Sequence, residues 1–135
     1  MTTFKTTRAV EWGDCDSAGI VYYPNYYRWM DGVFHEFTAM RGFSQRSLSE
    51  DYGLIGTPLI DTGCRFHAPA SHGDRLEVEA SLAKLGETSL RMDYTFICGQ
   101  RVAAKGFEAR VFARRGADGI EKAPIPAAVR AMLAV

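Results

Sequence analysis

No excess of either charge sign is present in this 135-residue sequence: sixteen Lys and Arg stand against sixteen Asp and Glu. A neutral chain raises no long-range field, which argues against nucleic acid or an anionic membrane surface as its main partner. Cysteine is scarce and odd in number. Cys15, Cys64 and Cys98 lie far apart and fit neither a disulfide framework nor the paired spacing of a zinc site. The expectation is therefore a reducing, cytoplasmic setting. The three histidines, His35, His67 and His72, fall outside any metal-ligand spacing, so no metal is assigned. Long apolar runs are also missing, and the opening MTTFKTTRAVEW alternates rather than presenting a signal peptide's apolar block. A soluble, unprocessed chain is expected. No internal repeat, linker or low-complexity tract divides it, so residues 1–135 read as one domain, large enough to build a core without staples.

What is present is a change of period along the chain. Residues 4–12 put Phe4, Thr6, Arg8, Val10 and Trp12 on one face, the pattern of a strand. From Pro24 to about Arg41 the apolar positions Tyr26, Met30, Val33, Phe34, Phe37 and Met40 recur at steps of three and four, which is the helical period. Pro24 suits the first turn and Gly42 the stop. A shorter helix can run from Ser44 as cap to Gly53, without the Glu or Gln that completes a capping box. Strands follow over 54–67, 76–82, 90–98 and 102–114, the last with Phe107, Ala109, Val111 and Ala113 opposite Glu108, Arg110 and Phe112. The cations of that last stretch read as a solvated face. Residues 113–119 suggest a hairpin tip and Pro124–Val135 a closing helix. Consecutive strands on short connections make an antiparallel sheet, and a sheet curling around one helix is an α+β arrangement.

The segment with chemical potential is Gly13-Asp14-Cys15-Asp16-Ser17-Ala18-Gly19, a glycine-flanked loop just before the long helix. A helix N-terminus presents unpaired N–H groups and about half a positive charge, so it can polarise a carbonyl that a nearby carboxylate attacks. The carboxylate can equally align water for the attack. An Asp in such a loop is also commonly a plain turn or cap residue. The residue pattern alone leaves all three open.

The run from Glu11 through Trp12-Gly13-Asp14-Cys15-Asp16-Ser17-Ala18-Gly19-Ile20-Val21-Tyr22-Tyr23-Pro24-Asn25-Tyr26 and on to Asp31 closely resembles the opening of the 4-hydroxybenzoyl-CoA thioesterase family. The likeness continues through Gly53-Leu54-Ile55-Gly56-Thr57-Pro58 and, as element order, over nearly the whole chain. It implies a single-domain hot-dog fold, a long central helix wrapped by a curved antiparallel sheet. It implies hydrolysis of an acyl-CoA thioester with Asp16 as the catalytic carboxylate, and it points to Tyr23, with the turn from Gly19, as the source of the polarising N–H. An aspartate is ionised at neutral pH and available as a nucleophile. No cofactor is needed. Tyr22, Tyr26, Asp31 and Thr57 are the expected acyl-binding positions, Asp31 being the one matched to a ring hydroxyl. The partners implied are the acyl-CoA substrate and further copies of the chain, as a dimer of dimers with the site between subunits.

The sequence also departs from the family. The basic cluster that holds CoA phosphates is here Lys84-Leu85-Gly86-Glu87-Thr88, leaving Lys84 as its single cation, with Arg91 and Lys105 as possible replacements. The alternatives are a thioesterase for short or branched aliphatic acyl-CoA, or a non-catalytic acyl-CoA or acyl-carrier binding module. A hydratase on the same fold would need an Asp/His pair at the helix start, which is absent.

Overall fold

A computed structural model describes residues 3–134. The elements run β1 (Thr3–Ala9), a single 3₁₀ turn (Trp12–Asp14), α1 (Pro24–Arg41), α2 (Gln45–Tyr52), β2 (Leu59–Phe66), β3 (Arg75–Leu85), β4 (Ser89–Cys98), β5 (Arg101–Val111), β6 (Ala113–Gly116), β7 (Gly119–Lys122) and α3 (Ala127–Leu133). Five of the strands form one antiparallel sheet in the order β1-β3-β4-β5-β2, and β6 and β7 make a separate hairpin. This is the α+β hot-dog architecture.

The helical period places Tyr26, Trp29, Met30, Val33, Phe34 and Phe37 on the buried face of α1. They pack into one core with Leu76, Val78 and Ala80 of β3 and Met92, Tyr94 and Phe96 of β4. Each large side chain so buried contributes up to about 1.5–3 kcal/mol. Gly106 on β5 lets the helix come this close, since a Cβ there would lie 2.5 Å from the Met30 sulfur. Arg8 and Thr6 of β1 both reach Glu36 of α1, tying the first strand to the helix. The helix closes at Gly42, which takes the left-handed conformation. No helix among the described residues is long and apolar enough to cross a membrane.

The structure corrects the sequence reading in several places. Trp12 leaves the strand and enters the 3₁₀ turn, where it is exposed. Met40 also projects outward rather than into the core. At α2 the box is completed after all, because the Ser47 hydroxyl accepts from the Ser44 N–H while Ser44 accepts from Ser47. The strand expected over 54–67 begins only at Leu59; Pro58 just before it has no N–H to give to a ladder. On β5 the charged face turns inward: Glu108 and Arg110 are buried while Phe107 and Ala109 are half-buried on the other face, and beyond them Val111, Phe112 and Ala113 are all buried. The closing helix is shorter than 124–135, and Val135 lies outside the described residues.

Candidate active site

Asp14 and Asp16 are only two residues apart, yet the loop gives them different work. Asp14 is buried, its Oδ2 accepting from the Glu11 N–H at 2.8 Å and its Oδ1 from Arg28 at 2.8 Å. Its own carbonyl accepts from the Tyr22 N–H and the Asn25 side chain, both at 2.8 Å. Asp14 is thus the fastener of the loop. Asp16 is exposed; its Oδ1 accepts from the Ala18 N–H at 2.9 Å, and Oδ2 has no partner among the described residues. A carboxylate held by one oxygen and free at the other is fixed in direction and still reactive.

The donors around it are sorted by the same loop. Gly19 gives its N–H to the Asp16 carbonyl at 2.9 Å, Val21 to Ala70 at 2.9 Å and Tyr22 to Asp14. The Tyr23 N–H donates to no acceptor among the described residues. Of the positions read from the sequence, Tyr23 therefore has the free donor and Gly19 does not. Gly19 instead supplies the turn itself, at φ +79°, which a side chain rarely tolerates. Tyr23 directly precedes Pro24, the first residue of α1, and no acidic residue sits in the helix's first turn to offset its positive end.

Asp16 and Tyr23 line a cavity of about 480 Å³ together with Tyr26, Phe66, His67 and Ala70. Its wall is aromatic: the Tyr26 ring lies 5.5 Å from that of Phe66 and 5.1 Å from that of Phe96. Burial pushes the Tyr26 phenol up to about 12, with the Cys64 and Cys98 thiols adding to the shift, so it stays neutral. Phe66 and His67 carry no sequence signal for this cavity. They stand at the end of β2, far along the chain from Asp16, and only the fold brings them there.

Tyr22, Asp31, Thr57 and Lys84 are not part of this cavity's lining. Tyr22 stacks edge-on against Tyr23 outside it. Asp31 and Thr57 belong to a second cluster, at the far end of β2. There Arg110, 5% exposed, donates to both oxygens of Glu108 at 3.2 and 2.9 Å, to the Thr57 carbonyl at 3.0 Å and to Asp31 Oδ1 at 2.9 Å. Its guanidinium lies 4.2 Å from the centre of the Phe34 ring. Tyr94 donates to Glu108 at 2.6 Å, and Gln45 holds Thr57 through both its N–H and its hydroxyl. Burial alone would lower the Arg110 pKa, but Glu108 and Asp31 outweigh it and raise it. Asp31 Oδ1 also lies 3.4 Å from His35, while Oδ2 has no partner among the described residues. Lys84 stands on β3 opposite Arg91. Among the described residues no group of three or more His, Cys, Asp or Glu side chains could hold a metal ion.

The profile of the thioesterase-like superfamily matches residues 10–133. The chain belongs to that superfamily. This makes it a thioester hydrolase, and three relatives are named for CoA esters of aromatic acids. It is 30% identical over 124 residues to the 4-hydroxybenzoyl-CoA thioesterase of Pseudomonas sp. (strain CBS-3), covering 87% of this chain and 88% of that one. The solved structure of that enzyme superposes with a TM-score of 0.89, at 26% identity, over 96% of this chain and 98% of the other. A gentisyl-coenzyme A thioesterase structure superposes with a TM-score of 0.82 at 36% identity, over 98% of this chain and all of the other. The 1,4-dihydroxy-2-naphthoyl-CoA hydrolase of Synechococcus elongatus is 30% identical over 94 residues, 70% of this chain and 69% of its own length.

Proposed function

We propose that this thioesterase hydrolyses the CoA thioester of a hydroxylated aromatic acid, of the hydroxybenzoyl type, with Asp16 as the reacting carboxylate. The observation that carries the reading is one cavity with an aromatic wall that is lined by both Asp16 and Tyr23, whose Oδ2 and N–H respectively have no partner among the described residues. The thioester carbonyl oxygen accepts from the Tyr23 N–H at the positive end of α1, where negative charge develops. The Asp16 carboxylate attacks the carbonyl carbon; the C–S bond breaks, CoA leaves as thiolate and a mixed anhydride remains. Water then cleaves the anhydride, releasing the acid and restoring Asp16. In the direct route the same carboxylate takes a proton from the attacking water instead.

The acyl ring packs against Tyr23, Tyr26 and Phe66. The far end of the ring is met by a second copy of the chain. Support comes from β2, an edge strand with Leu59 and Ile60 exposed. Two such edges paired antiparallel about a twofold axis turn the ends of β2, about 23 Å apart, toward opposite ends of the partner strand. The end carrying Asp31 and Thr57 then meets the end carrying Asp16 and Tyr23. Asp31 Oδ2 is thereby available to accept a ring hydroxyl. A dimer of dimers in the cytoplasm completes the reading, in keeping with scarce cysteine and no charge excess.

The test is kcat/KM on 4-hydroxybenzoyl-, 3-hydroxybenzoyl-, gentisyl-, benzoyl-, phenylacetyl- and hexanoyl-CoA, following released thiol. A preference of at least about tenfold for a hydroxylated aromatic ester is expected. An aliphatic preference would discard the aromatic pocket, and no hydrolysis would discard the reaction.

A further inference from the structure

The outer face of the sheet carries a local arrangement that neither the core nor the reactive cavity accounts for. Arg65 on β2 stands directly opposite Lys105 on β5, and both are exposed. Like charges placed opposite each other across a strand pair are destabilising. Neither residue forms an ion pair among the described residues, because the acids of the neighbouring rows are already engaged. Asp93 pairs with Arg91 at 2.9 Å and Glu79 with Lys5 at 3.6 Å. Arg91 adds a third cation, its guanidinium lying 4.1 Å above the Phe107 ring. Arg91 is itself paired with Asp93, so Arg65 and Lys105 are the two cations of this face left to meet an external anion.

These groups line one cleft. Arg65, His67, Arg91, Lys105 and Phe107, with Asp93 as the single acid, border a cavity of about 670 Å³. His67 also lines the reactive cavity that holds Asp16, so the two are neighbours across the end of β2. A ligand can lie in both.

We propose that this outer-face cleft is the subsite for the phosphates of the CoA moiety, with Arg65 and Lys105 as their principal partners. The assignment rests on the acyl-CoA reading above. CoA carries a diphosphate and a 3′-phosphate, set apart from the thioester by the flexible pantetheine arm. Two cavities sharing a wall at His67 offer one place for the thioester and another for the phosphates. The arm crosses His67, the phosphates meet Arg65 and Lys105 from outside the sheet, and Arg91 on Phe107 closes the far side. A phosphate between Arg65 and Lys105 turns a repulsive pair into two charge-assisted hydrogen bonds. Such a site also replaces the basic hairpin of the family, which here keeps only Lys84 beside Glu87.

The test compares wild type with the double variant Arg65→Gln, Lys105→Gln on two esters of one acyl group. One is the CoA thioester and the other the N-acetylcysteamine thioester, which keeps the reacting bond and lacks every phosphate. The expected result is a fall in kcat/KM at least about tenfold larger on the CoA ester than on the truncated one, expressed in KM rather than kcat. Inhibition by adenosine 3′,5′-bisphosphate should weaken in parallel, and the rise of KM with added NaCl should flatten. Because the change removes a like-charge pair, the variant should fold at least as well as wild type. Equal losses on both esters, or a CoA-ester KM within about twofold of wild type, would overturn the subsite. If wild type hydrolyses neither ester, the reaction is wrong; calorimetric binding of CoA to both proteins then decides the subsite by itself, weaker binding by the variant supporting it and equal binding overturning it.

Discussion

Replacing Arg110 with Met should unfold this protein far more readily than replacing Arg110 and Glu108 together. Met retains the apolar stem against Phe34 but removes the donors that reach Glu108 at 3.2 and 2.9 Å and Thr57 at 3.0 Å. Glu108, 1% exposed, would then keep a single donor among the described residues, the Tyr94 hydroxyl at 2.6 Å. A buried carboxylate stripped of its cation costs about 3–5 kcal/mol. For a chain of this size that corresponds to a fall in Tm of roughly 10–20 °C. In the double variant Glu108→Gln, Arg110→Met no charge is stranded, the glutamine still accepts from Tyr94, and stability should return to within about 1–2 kcal/mol of wild type. Differential scanning calorimetry and urea unfolding measure both. A single variant within about 1 kcal/mol of wild type, or a double variant as unstable as the single, would refute the argument that Glu108 depends on Arg110.

The two loop aspartates should separate in the same assay. Asp14→Ala loses acceptors for the Glu11 N–H and Arg28 and should cost about 1–2 kcal/mol, whereas Asp16→Ala, with one exposed N–H contact, should stay within about 0.5 kcal/mol. Stability should also fall in alkali. Burial raises Tyr26 to about 12 and Cys64 to about 11. Burial, with Glu108 beside it, also raises Tyr94. The folded values of Tyr26 and Cys64 exceed the unfolded ones, so their stabilising effect is complete below about pH 8.5 and is lost as pH rises through 11–12, by up to about 1.4 kcal/mol per pH unit per group, and Tyr94 acts in the same direction. Urea unfolding between pH 8 and 11 checks this; a flat profile would count against the buried, protonated phenols.

Much of the fold could be read from spacing because α1 repeats its apolar residues with the helical period and β3 and β4 alternate cleanly. What spacing could not supply was the inside of β5. Glu108 and Arg110 look like a solvated face because a polarity pattern records charge and not pairing; three partners from other elements, Asp31, Thr57 and Tyr94, make their burial tolerable. Phe107, conversely, looks like core and lies outside under Arg91. At the site, the Asp16 loop and Tyr23 were legible as one contiguous motif. Phe66 and His67 were not, since the Val21 bond to Ala70 that draws their segment to the loop is a tertiary contact. The unequal roles of Asp14 and Asp16, and of the Gly19 and Tyr23 N–H groups, became visible only once each hydrogen bond had a partner.

The central claim, that Asp16 carries the hydrolysis, is tested most directly by kcat/KM of Asp16→Asn against wild type on the best aromatic CoA ester of the panel, with binding of that ester measured alongside. The account predicts a loss of at least about a hundredfold in turnover with folding and ester binding retained, because the amide keeps the shape and lacks the charge. Turnover near that of wild type would contradict it.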